Sequence, residues 1–142
     1  MIEVFRLTES SQRAAEDLSV LAAQLRGELC AMSVNDLSLM LAEQNTILIV
    51  ARDSEKLVGM ATLYVIQKVG RRTAHLEDVV VLESYRGQGI GEKLVRAVIS
   101  AGRSSGVMHI HLTSHPDRVA AHKLYEKLGF KKRETDVLKL TL

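Results

Sequence analysis

Residues 79–95, VVVLESYRGQGIGEKLV, decide how this chain folds. The apolar start closes a segment, Ala74–Leu82 (AHLEDVVVL), that reads as a β-strand. Three glycines follow, Gly87, Gly89 and Gly91, and then Ile90, Leu94, Ala97, Val98 and Ala101 share one helical face. Strand, glycine loop and helix therefore stand in direct succession. Glycines let the backbone turn sharply and approach a ligand with no Cβ in the way. The unpaired N–H groups at a helix start, with the positive end of its dipole, make a site for phosphate oxygens. The spacing excludes a Walker loop, which needs G-x-x-x-x-G-K before Ser or Thr, and a G-x-G-x-x-G dinucleotide fingerprint. Taken alone, such a loop also serves as a plain structural connection.

Upstream, Thr46–Ala51 and Leu57–Ile66 are apolar runs around the polar turn Arg52–Lys56, a hairpin of two buried strands. Before it, Ile2–Leu7 reads as a strand, and Ala14, Leu18, Leu21, Leu25 and Leu29 form a helical stripe. Ser33-x-x-Asp36 resembles a capping box opening a second helix with Leu37, Met40 and Leu41. Downstream, Gly102–Gly106 ends the glycine-loop helix and Val107–Thr113 reads as a strand. Ser114-x-x-Asp117, with Pro116 in the first turn, starts a last helix carrying Ala121, Leu124 and Leu128. Gly129 suits a left-handed C-cap, and a final strand is expected through Phe130–Leu140. The order is β-α-α-β-β-β-α-β-α-β, a mixed sheet with helices on its faces.

The 142 residues, 46% apolar and 25% charged, suit one globular domain over 1–142 with a single core. Disorder, collagen and disulfide scaffolds are excluded by composition. Cys30 stands alone and forms no internal disulfide. No apolar run approaches the ~18 residues of a membrane span, and MIEVFRLTESS lacks the marks of a signal peptide. The expectation is a cytoplasmic protein without a membrane partner. Net charge is only +2, but residues 1–45 sum to −4 and residues 86–133 to +7. The basic segment suits an anionic ligand, or is simply a solvated face.

The stretch 79–95 resembles the acetyl-CoA-binding motif of the GNAT superfamily of N-acetyltransferases. That pattern has Arg or Gln, two residues, Gly, one residue, then Gly or Ala, after a strand; here it is Arg86, Gly89 and Gly91. A second stretch, AAHKLYEKLGF (120–130), is similar to the superfamily's late helix, where a tyrosine precedes Leu-Gly-Phe. The element order from residue 46 onward matches too. The resemblance implies an α/β (α+β) domain with a mostly antiparallel sheet, splayed central strands and helices on both faces. It implies acetyl-CoA as acetyl donor, no metal, and a small-molecule amine as acceptor.

Carried over, the resemblance seats the pyrophosphate on the backbone of Arg86, Gly87, Gln88, Gly89, Ile90 and Gly91. The pantetheine arm pairs with Val79, Val80 and Val81, whose N–H groups near Val80 or Val81 also hold the oxyanion. Lys93, Arg118 or Lys123 reaches a phosphate. Tyr125 is the implied general acid near the sulfur; its alternative is a core-lining tyrosine. Many members carry asparagine where this chain has Arg118, so the contact there becomes charge-assisted or is lost. Ser114 offers a hydroxyl nearby.

Direct transfer needs a neutral amine, a stabilised oxyanion and a proton for the leaving thiolate. Glu77 is the candidate base, acting through a water. Strand alternation puts it on one face with Val79 and Val81, and a carboxylate in an apolar strand is costly unless paired or working. Asp78 is the fallback, and an ion pair of Glu77 with Arg71 or Arg72 is the bland alternative. His109, His111 and His115 lack the further ligands and frame of a zinc site. His75 and His111 are candidates to line the acceptor cleft. With three Tyr, two Phe and no binding motif, no nucleic-acid partner is expected.

The words HLEDVVV and YRGQGIG look like those of glucosamine-6-phosphate and aminoalkylphosphonate acetyltransferases, which makes a small phosphorylated amine the first expectation. Protein N-termini, amino acids, polyamines, antibiotics and a non-catalytic acyl-CoA-binding module stay open. A homodimer, with the last strand pairing across a symmetry axis, is also open.

Overall fold

The computed structural model describes residues 1–142. Five strands, β1 (Ile2–Arg6), β2 (Thr46–Asp53), β3 (Lys56–Lys68), β4 (Arg71–Val81) and β5 (Ile110–His111), form one sheet in the order β1-β2-β3-β4-β5. The first four pair antiparallel and β5 lies parallel to β4. The four helices are α1 (Gln12–Arg26), α2 (Val34–Ala42), α3 (Ile90–Ser104) and α4 (Val119–Lys127). None is long and apolar enough to cross a membrane.

Both faces of the central strands are covered, which is why β3 carries an unbroken buried run from Leu57 to Leu63 rather than an alternating one. Gly59 lies under Leu94 of α3; a Cβ there would come within 3.0 Å of the leucine and 3.3 Å of the Val80 carbonyl. The opposite face of β3 and β4 takes α1, whose Ala14, Ala15, Leu18 and Leu21 are buried. Ser11 caps α1 and Gly27 ends it at φ 74°, which leaves Leu29 outside the helix and 89% exposed, off the predicted stripe. The capping box of Ser33 and Asp36 forms as its spacing predicts.

Some boundaries differ from expectation. The predicted strand Val107–Thr113 is shorter than expected: its ladder with β4 covers Ile110 and His111, and Met108 donates to the Arg72 carbonyl just before it. Helix α3 ends at Ser104, inside the expected Gly102–Gly106 stretch, with Gly106 left-handed at φ 73° and Gly102 leaving room for Ile110 and Val107 to close on it. Ser114 and Asp117 do not cap α4, which begins after Arg118 with no side-chain cap. The final strand expected over Phe130–Leu140 does not form. Lys131, Lys132 and Arg133 lead the chain into solvent, and with no ladder partner Val137, Leu138 and Leu140 stay exposed. Gly129 does adopt the left-handed conformation, at φ 97°.

Candidate active site

The site begins with a defect in β4. Met60 stands opposite Val80 and Thr62 opposite Glu77, so Asp78 and Val79 together face Ala61 in a bulge. Asp78 takes φ 55°, a left-handed conformation unusual for a residue with a Cβ. The extra residue shifts the alternation. Glu77 shares a face with Thr62 and Val80 with Met60, on the α1 side, while Val79 and Val81 turn toward α3. The expected common face of Glu77, Val79 and Val81 is therefore corrected: the bulge separates them.

The backbone follows suit. Leu82 donates to the Val58 carbonyl at 2.8 Å, so ladder alternation points Val80 at β3 and turns the N–H and C=O groups of Val79 and Val81 away from it. On that side β5 has already diverged, its ladder ending at His75 and His111. The result is a gap whose near edge is strand backbone. Two side chains reach that edge: Gln24 of α1 donates to the Val81 carbonyl at 2.8 Å, and Arg118 to the Val79 carbonyl at 3.4 Å.

The gap opens onto the glycine loop. Gly87 and Gly89 sit at φ 78° and 77°, and no atom lies within 4 Å of a Cβ built on either. Lys93 makes the first helical bond, to the Gly89 carbonyl, so the N–H groups of Ile90, Gly91 and Glu92 have no acceptor within α3. Gly91 is in ordinary contact distance of Leu124 and Val81, joining α3, α4 and β4 at one point. Arg86, Gly87, Gln88 and Gly89 are all exposed, and Ile90 turns inward as the first buried residue of the helix.

Across the gap, Tyr125 is 7% exposed, with its ring edge-on to Phe130 at 5.6 Å. Burial raises its phenol pKa, and nearby Arg118 pulls it partly back. The hydroxyl thus stays protonated at neutral pH. Ser114 Oγ is buried without a protein partner. Free N–H groups beside a strand edge that no neighbouring strand covers suit an elongated, phosphorylated ligand.

On the α1 face the predicted residues meet differently. Glu77 is exposed and pairs with neither Arg71 nor Arg72; Arg72 donates instead to the Ser105 carbonyl at 2.8 Å. Tyr64 stands opposite His75 in the ladder, and its phenol pKa is raised by burial and then by Asp78 and Glu77. His75 and His111 stack edge to face at 5.7 Å, with His109 beyond at 5.9 Å from His111. Arg133 approaches His111 Nδ1 at 3.4 Å. Burial, then Arg133, lowers the His111 pKa, keeping the ring neutral. His115 leaves this group and faces Asp117 at 3.4 Å. This face carries different groups at its two ends: the Glu77 carboxylate and the Arg26-paired Asp78 at one, and the Arg133 guanidinium beside the neutral His111 ring and His75 at the other. The +7 segment is also spread elsewhere. A cleft of about 320 Å³ between α3 and α4 holds Arg96, Arg103 and Lys127, away from the gap.

Sequence reasoning missed Gln24, Arg26 and Tyr64. Only Arg26 carries a signal, as the last helical residue before Gly27; the other two are set by tertiary contact.

The family model described as acetyltransferase (GNAT) family matches residues 8–130. The chain belongs to that family. A glucosamine 6-phosphate N-acetyltransferase of Trypanosoma brucei brucei is 39% identical over 82 residues, 56% of this chain and 54% of that protein. An N-alpha-acetyltransferase 30 of Schizosaccharomyces pombe is 33% identical over 84 residues, 57% of this chain and 55% of its own. The chain thus spans about half the length of the curated relatives it matches. Among solved structures, a putative acetyltransferase from Agrobacterium tumefaciens superimposes with a TM-score of 0.85 at 24% identity, over 98% of this chain and 99% of that one. A Trypanosoma brucei acetyltransferase gives 0.81 at 27% identity over the full length of both.

Proposed function

We propose that this GNAT-family protein is an acetyl-CoA-dependent N-acetyltransferase acting on a primary amine. The observation that carries the reading is the gap between β4 and β5, edged by Val79 and Val81 and opening onto the unpaired N–H groups of the α3 start. An extended pantetheine arm uses such an edge as a strand partner, and the pyrophosphate suits the helix start.

Acetyl-CoA supplies the activated acetyl group. Val79 and Val81, rather than Val80, have N–H groups directed at the gap and are the candidate oxyanion donors. Tyr125, protonated and beside the gap, is the candidate acid that returns a proton to the leaving thiolate. Glu77, exposed and unpaired on the opposite face of β4, is the candidate base, removing the amine proton through a water. Arg118 lies where a cofactor contact is expected and already holds the Val79 carbonyl.

The acceptor we propose is a small amine bearing an anionic group, such as an amino sugar phosphate. The α1 face supports it: an amine directed to the Glu77 end leaves a phosphate near the Arg133 guanidinium, with the rings of His75 and His111 beside it. The relative named glucosamine 6-phosphate N-acetyltransferase points the same way. The same reading takes the protein to be cytoplasmic and to pair with a second copy that covers Val137, Leu138 and Leu140.

Calorimetric titration with acetyl-CoA, CoA and NADH tests the donor. Micromolar binding of both CoA species and none of NADH is expected; no CoA binding would remove the enzyme reading. An acceptor panel then tests the substrate. Turnover confined to polycationic amines or peptide N-termini would overturn the phosphorylated acceptor.

A further inference from the structure

The last turn of α1 grips the gap edge at two points. Arg26 Nη2 lies 3.0 Å from both carboxylate oxygens of Asp78. Gln24 donates to the Val81 carbonyl at 2.8 Å while its Oε1 accepts from the Glu83 N–H at 3.1 Å. Between Asp78 and Val81, the two gripped residues, run Val79 and Val80.

We propose that Arg26 is a positioning residue, a clamp that holds Asp78 in its left-handed conformation and so keeps the β4 bulge set for the donor. The ligand in this statement rests on the acetyltransferase reading; the clamp is a property of the free protein. Beyond the bulge, β3 fixes Leu82 through Val58, and before it Glu77 is in register with Thr62. The bulge itself, Asp78 and Val79, is opposed by the single residue Ala61. A residue with a Cβ disfavours φ 55°. Relaxing it to a negative φ rotates the next peptide and carries Val79 out of line with Val81. The guanidinium opposes that relaxation by holding the carboxylate from outside the sheet. Its own place is fixed by Gly27, which turns the chain at φ 74° and donates back to the Ala23 carbonyl.

Glycine adopts positive φ without a clamp, which supplies the test. Arg26→Ala, Asp78→Gly and the double variant are compared for acetyl-CoA affinity by calorimetry and for amide exchange at Leu82 without ligand. Arg26→Ala is expected to weaken acetyl-CoA binding and to speed Leu82 exchange, each about tenfold, as coupled neighbours do. Adding Asp78→Gly should bring both back to within about twofold of the Asp78→Gly single variant, because the conformation no longer needs holding. Equal losses with and without Asp78→Gly would overturn the clamp and make Arg26 a direct charge contact. No loss in either measurement would overturn it as well. If wild type binds no acetyl-CoA but the exchange pattern appears, the clamp stands and the acetyltransferase reading falls.

Discussion

Helices α3 and α4 flank the same gap and are held in opposite ways. Helix α3 buries Ile90, Leu94, Val95, Val98 and Gly102 against the sheet, whereas α4 buries Tyr125 alone. Neither start has a side-chain cap. Helix α3 keeps its uncapped start rigid through its apolar face, as the proposed phosphate site requires. Helix α4 packs less of itself: Ala121, Leu124 and Leu128 are only partly buried, and it is also held by Tyr125 against Phe130, Arg118 to the Val79 carbonyl and Lys127 to Glu92 at 2.6 Å. Helix α3 is scaffold; α4 carries Tyr125, the acid of the proposed mechanism. Mutations should therefore separate stability from rate.

The sharpest separation is expected at Tyr125. Tyr125→Phe keeps the ring against Phe130 and removes only the hydroxyl, so the melting temperature should barely move. Loss of a general acid should lower kcat by about 10²–10⁴. Steady-state rates beside a thermal melt check both halves, and an unchanged rate would take the acid role from Tyr125. The pH profile sharpens this further. Burial raises the phenol pKa above its ordinary 10.0, so the rate attributable to Tyr125 should hold to that pH and decline above it.

The reverse pattern is expected on α3. Leu94 is fully buried over Gly59, and Leu94→Ala should cost about 2–5 kcal/mol by leaving a cavity. Leu124→Ala on α4 removes a partly buried side chain and should cost clearly less. Urea unfolding of the two variants compares them directly. Equal losses would mean that α4 is as much scaffold as α3, and the comparison would fail.

The same division governs what was legible in the sequence. Helix α3 was readable because local signals agree: glycines before it, and a periodic apolar face along it. The hairpin of β2 and β3 and the capping box of Ser33 were readable for the same reason. The β4 bulge was not, because nothing in EDVVV marks Asp78 as the left-handed residue; that is settled by register against β3 and by Arg26 from α1. One inserted residue then moved Glu77 to the other face from Val79. The tail was misread in a complementary way. Its apolar alternation is a strand pattern, but a pattern supplies no partner, and β5 offers it none. Of the candidate site, the glycine loop and Tyr125 are visible as motifs, while Gln24, Arg26 and Tyr64 enter only through tertiary contact.

The smallest expected effect concerns acid pH, and it tests whether the β5 and α4 side is the weaker one. His111 lies on β5, facing His75, His109, Lys68 and Arg133, the last supplied by the chain just beyond α4. Burial and these basic neighbours push its pKa below 6.5. In the unfolded chain the imidazole takes up its proton near 6.5, before the folded protein does. Between those two pKa values the unfolded state binds more protons, so stability falls as pH drops. The contribution is complete above 6.5 and is lost as pH falls through the folded value. His111→Gln should flatten that slope without changing stability at pH 8. Hydrogen exchange at mildly acid pH should quicken in β5 and α4 before α3; simultaneous loosening of all three would show one cooperative unit rather than a scaffold and a presenting arm.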